Sequence, residues 1–162
     1  MSTKDKNKLT ELQLDVMYDC VEADDTEEYF LNVTTPNAKA LLEHEECLSA
    51  MGYFCLAQFY GDSEYPSSYN KNKAREYYLQ AAKQGHATSI LCLYHHNLVP
   101  NDIALCWIKV LVIDDPNSGV VKEAYQDLSY GVSTEQLDII EIDAQKTFNN
   151  IIDAGYKIHD FC

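Results

Sequence analysis

Arginine is nearly missing from this chain. Arg75 is the only one among twelve basic residues, which face 26 acidic ones for a net charge of −14 over 162 residues. Nucleic-acid binding needs a concentrated Lys/Arg surface, and an anionic membrane needs the same, so the composition speaks against both. Long apolar runs are also missing: no stretch approaches the roughly 18 uncharged apolar residues of a membrane span. The opening MSTKDKNKLTEL has no apolar signal core, so a cytoplasmic protein is expected. The six cysteines, Cys20, Cys47, Cys55, Cys92, Cys106 and Cys162, show no CxxC spacing and read as buried free thiols. HExxH, GxSxG, a glycine-rich phosphate loop and strand–helix alternation are all lacking, and no enzyme is expected. His44 and Cys47 stand one turn apart and His95 adjoins His96, but no second His/Cys pair has ligand spacing, so neither a metal nor another cofactor is expected.

What is present is a repeat. Ala74, Tyr77, Tyr78, Ala81, Ala82 and Gly85 return as Ala144, Thr147, Phe148, Ile151, Ile152 and Gly155, and without the final glycine as Ala104, Trp107, Ile108, Leu111 and Val112. Spacings of three and four put each set on one helical stripe, and a glycine at the end provides the left-handed residue that stops a helix. A second pattern precedes each set: Gly52-x-x-x-Leu56-Ala57-x-x-Tyr60, Ser89-x-x-x-Leu93-Tyr94-x-x-Asn97 and Ala124-x-x-x-Leu128-Ser129. Each marks the first helix of a hairpin. Pro116, Asn117, Ser118 and Gly119 punctuate the approach to the third.

This arrangement resembles the Sel-one-like repeat, a relative of the tetratricopeptide repeat, with Gly52 to Gly85 the best match and about two thirds of the chain covered. Tyr94 in place of a packing glycine, Asn97 in place of tyrosine, and Leu111-Val112 in place of paired alanines depart from the pattern. The resemblance implies an all-α fold, a right-handed alpha-alpha superhelix (solenoid) of about three hairpins. One domain is expected: residues 1–46 as a helical N-terminal cap, 47–86, 87–118 and 119–155 as repeats, and 156–162 as a tail. In the cap, Leu9 to Val21 suggests one helix, Val33 to Asn37 a loop, and Asn37 to Glu46 a second helix. His86, after the helix-ending glycine, is expected to cap or pack.

By the same resemblance, first helices line the inner surface of such an array, and their non-structural positions are the candidate partner-binding residues. These are Met51, Phe54, Gln58 and Asp62 in the first unit, Thr88, Leu91 and His95 in the second, and Glu123, Gln126 and Tyr130 in the third. The acidity suits a partner with a basic surface, because opposite fields speed encounter. Residues 1–30 hold nine acidic and three basic side chains and residues 121–162 hold eight and three, whereas 61–90 holds three and four. Families with this repeat include adaptors, secreted bacterial effectors and immunity proteins. A short acidic chain looks most like an immunity protein that neutralises a basic cognate toxin; a regulatory adaptor or effector is the alternative, and an enzyme the third.

Overall fold

The computed structural model describes Leu12 and residues 35–64 and 66–159. Apart from Leu12, the helix expected over Leu9 to Val21 and the acidic N-terminal segment lie outside the described residues. Among those described, the secondary structure is helical, with one isolated parallel bridge between His86 and His159. The helices are α1 (Thr35–Leu42), a 3-10 turn (Glu45–Cys47), α2 (Ala50–Gly61), α3 (Lys71–Lys83), α4 (Ala87–His95), α5 (Asn101–Asp114), α6 (Gly119–Ser129) and α7 (Thr134–Asp153). The chain forms two compact units, Met1–Ala81 and Ala82–Cys162.

In the first unit, α1 starts at Thr35, two residues before the loop expectation ends. Pro36 in the first turn explains the early start, since a helix needs no N–H there and proline's fixed φ is already helical. The expected continuation to Glu46 breaks after Leu42 and resumes as the 3-10 turn. Buried Ala38 and Leu41 turn α1 toward α2. Ser49 caps α2, its hydroxyl accepting from the Gly52 N–H at 3.4 Å. Because α2 is apolar nearly all round, it buries Ala50, Gly52, Cys55, Leu56, Ala57, Phe59 and Tyr60.

The repeat positions of α3, Ala74, Tyr77, Tyr78 and Ala81, are all buried. Their rings join those of α2 in a stack. Tyr77 lies between Tyr53, at 6.3 Å, and Tyr60, at 5.7 Å, and Phe54 meets Tyr78 edge-on at 6.0 Å. The polar ends are satisfied as well. The Tyr53 hydroxyl donates to the Glu45 carbonyl at 2.7 Å, and the Tyr77 hydroxyl donates to the Glu45 carboxylate. Lys73 reaches the Tyr60 hydroxyl at 3.3 Å with its ammonium over the ring. Burial, then the bond to Glu45 and the charge of that carboxylate, push the Tyr77 phenol well above its ordinary range.

The second unit opens at the glycine terminator. Gly85 has φ +85° and Gly155 φ +86°, the left-handed conformation expected of both. Gly155 completes a Schellman ending, with its N–H bonded to the Ile152 carbonyl and the Tyr156 N–H to that of Ile151. Asn97, at φ +48°, does the same for α4, with Asn97 N–H to Tyr94 and Leu98 N–H to Leu93. His86 caps α4: its Nδ1 accepts from the Ser89 N–H at 3.2 Å and lies 2.8 Å from the Ser89 hydroxyl, and both residues are buried. Of the segment expected to be a tail, the described residues 156–159 turn back. The His159 N–H donates to the Gly85 carbonyl at 2.9 Å, and the Ala87 N–H to the His159 carbonyl at 3.0 Å. A Cβ on Gly85 would fall 2.2 Å from the Lys157 carbonyl oxygen. Glycine is therefore required there twice, for its backbone angle and for the room it leaves.

Helix α5 is the centre of this unit, packing against α4, α6 and α7, which accounts for the burial of Ala104, Leu105, Trp107, Ile108, Val110 and Leu111. Lys109 adds a polar tie between helices, pairing with Glu141 on α7 and lying over the Tyr125 ring of α6 at 5.1 Å. Cys55 is a buried free thiol, and Cys92 and Cys106 are half-buried ones.

Candidate functional site

The ten residues selected from sequence fall on three helices. On α2, Met51, Phe54 and Gln58 share a face and are half-buried. Phe54 is engaged by Tyr78, and Asp62 ends the helix, its carboxylate accepting from the Glu64 N–H at 2.9 Å. In the second unit, Thr88 and Leu91 on α4 are half-buried and His95 is exposed, its ring 4.8 Å from that of Tyr94. On α6, Glu123 and Gln126 are exposed, and Tyr130 at the helix end is 91% exposed. Each set of three at helical spacing forms one face of its own helix. The sets of α4 and α6 sit on helices that both pack on α5.

A concave site that the sequence did not reveal lies between α5 and α7. It is a cleft of about 480 Å³, within the size range of ligand-binding clefts. The first two turns of α5 form one wall, with Asp102, Ile103, Cys106 and Trp107, and α7 forms the other, with Gln136, Ile139, Ile140, Asp143 and Thr147. Leu128 and Val132 close one side. Helix α7 is held in place at its start by a capping box: the Ser133 hydroxyl accepts from the Gln136 N–H at 3.3 Å, and the Gln136 side chain accepts from the Ser133 N–H at 3.4 Å.

The inward stripe of α7 runs through Leu137, Ile140, Ala144, Phe148 and Ile151, which are buried or half-buried. Ile139 and Ile142 lie off that stripe and stand in water, 60% and 68% exposed. Carboxylates surround them: Glu135, Asp138, Glu141 and Asp143 precede the only cation of the helix, Lys146. One signal in the sequence marked this. Leu137-Asp138-Ile139-Ile140-Glu141-Ile142 holds four large aliphatics in six residues, more than a single helical stripe can bury.

Cys106 lies in the cleft beside Asp143 and Thr147. Burial, reinforced by the charge of Asp143, pushes its thiol up against a smaller opposing pull from the Thr147 hydrogen bond. A thiol pushed in that direction is a weaker nucleophile. Among the described residues no three His, Cys, Asp or Glu side chains converge to hold a metal ion, and no helix is long and apolar enough to cross a membrane. What the cleft offers is an apolar floor with carboxylates at its edge. Set against known protein families, curated proteins and solved structures, the chain matches none of them.

Proposed function

We propose that this chain is a protein-binding module whose partner presents a basic surface with an apolar centre, and that it acts as a cytoplasmic immunity protein neutralising a cognate toxin. One observation carries the binding reading: Ile139 and Ile142 stand exposed on α7 among Glu135, Asp138 and Asp143, with Glu141 beside them paired to Lys109. Clustered aliphatic side chains left largely in water mark a surface that is covered in use. Their acidic surroundings select a cationic cover, because like charges would repel an acidic one before contact. The Sel-one-like spacing of the three hairpins agrees with a helical scaffold for such a surface. The toxin reading rests on size and acidity.

Growth rescue and kinetics together test this. The chain is co-expressed with the product of the adjacent gene, and association of the purified pair is followed across salt concentrations. Rescue of growth, with an association rate that falls as salt rises, is the expected result. An acidic partner, or association indifferent to salt, overturns the binding reading; a basic partner that is not toxic overturns only the immunity part.

A further inference from the structure

The occupant of the α5–α7 cleft can be specified further. We infer that it is an amphipathic helix of the partner, with lysine or arginine flanking an aliphatic or aromatic stripe; this rests on the binding reading above and deepens it.

Three features of the cleft point there. The first is the nature of its walls. Apart from the first-turn N–H groups of α5 at Asn101 to Ile103, the walls are helices whose backbone groups are bonded within the helix, so they offer an incoming chain mainly side chains and no row of alternating free N–H and C=O groups such as a sheet edge presents. An extended segment gains its affinity from such a row at a sheet edge, whereas a helix arrives with its own backbone satisfied and needs only apolar contact. The second feature is length. Lining residues on α7 run from Gln136 to Thr147, about 16 Å at the rise of an α-helix, the length of roughly three turns. Three turns of a ligand helix present anchors at i, i+3, i+4 and i+7, enough to cover Ile103, Trp107, Ile139 and Ile140.

The third feature is charge. The lining contains Asp102 and Asp143 and no lysine or arginine, and Asp138 and Glu135 stand exposed on the same helix. Lys109, the nearest cation on α5, is engaged by Glu141 and Tyr125. Lys146, outside the lining, is the one cation of α7 against five carboxylates, so a helix with carboxylates beside its apolar stripe would meet net repulsion, and one with lysines would be drawn in.

Trp107 is the only tryptophan of the chain and lies in the lining, so its fluorescence reports occupancy directly. The probe is a synthetic peptide of about 14 residues made of leucine and lysine, with leucine at helical spacing. Two comparison peptides replace every lysine by glutamate or alternate leucine and lysine at the period of a strand. The helical Leu/Lys peptide is expected to shift Trp107 emission and bind at least about tenfold more tightly than either comparison. Ile139→Asp should weaken it by about tenfold or more, and Asp102→Asn with Asp143→Asn should weaken it and flatten its salt dependence. Asp127→Asn with Asp153→Asn removes the same charge outside the cleft and should leave binding unchanged. Since Ile139 is largely exposed, circular dichroism should show each variant folded. If the strand-period peptide binds as well, if the Asp127/Asp153 pair matters as much as Asp102/Asp143, or if Ile139→Asp has no effect, the helix-in-cleft inference is overturned. Should that happen while a basic partner still binds the whole chain with salt-sensitive kinetics, the binding reading survives and its contact lies elsewhere.

Discussion

Among the described residues, the first unit turns most of its large side chains on one another, with Tyr69 the exposed one, and the second leaves more of them in water. In the first, Tyr53, Tyr60, Tyr77, Phe54 and Tyr78 form pairs between α2 and α3, with Glu45 and Lys73 engaging the hydroxyls. In the second, Ile139, Ile142, Val120 and Tyr130 are more than half exposed. The repeat positions are buried on α3 and, but for half-buried Val112, on α5, and only the copy on α7 departs from this. Ala74, Tyr77, Tyr78, Ala81 and Ala82 are all buried on α3, whereas on α7 only Ala144 and Ile151 of the corresponding five are, and Ile152 is exposed. One spacing rule can therefore be used for two ends. Aromatic residues in it complete a core, and aliphatic residues added beside it leave a surface to be covered.

The largest effect expected is from Gly85→Val, at about 4 kcal/mol, because a β-branched residue resists positive φ and its Cβ collides with the Lys157 carbonyl. Amide exchange at Ala87 and His159 should accelerate most. Equal acceleration in α2 would erase the distinction between the units. Next comes Ile108→Ala, with a fully buried side chain at the centre of the second unit, which should cost about 3 kcal/mol in denaturant unfolding.

A smaller effect sharpens the account of the first unit. Tyr77→Phe should cost about 1 kcal/mol at neutral pH, through loss of the hydrogen bond to Glu45. The folded state keeps the Tyr77 proton while the unfolded chain releases it near pH 10.0, so stability falls as pH rises through 10.0. The phenylalanine variant should lose less over that range, and an unchanged alkaline slope would mean Tyr77 is not held protonated. Smallest of all is Ile139→Ala, within about 0.5 kcal/mol of the parent in unfolding. A large cost would show that this isoleucine belongs to the core and would remove the contrast with Ile108.

Local rules were legible in the sequence. Helix periodicity placed α2 to α7, and the glycine that must stop a helix was identifiable at Gly85 and Gly155 because positive φ strongly favours it. The resemblance implied that His86 would cap or pack, and it does both, capping α4 from a buried position. Asn97 was read only as a departure from the repeat, although asparagine also tolerates the left-handed region and ends α4 that way. The cleft was harder to see. Asp102, Cys106 and Trp107 meet Ile139, Asp143 and Thr147 only once α5 and α7 pack, and their separation of more than thirty residues obeys no period. The return of His159 to Gly85 and Ala87 is hidden for a related reason: two backbone hydrogen bonds leave no mark in side-chain pattern.

That returning segment also sets an order of events in time. A ribosome delivers the chain from N to C, so α4 and α5, then α6, then α7 can each find its partner soon after emerging. The bridge at Gly85 and Ala87 must wait for His159, 74 residues after Gly85, and it closes the longest loop in the unit. It is thus the last contact of the unit to form, and until it closes the start of α4 stays open to protease and solvent.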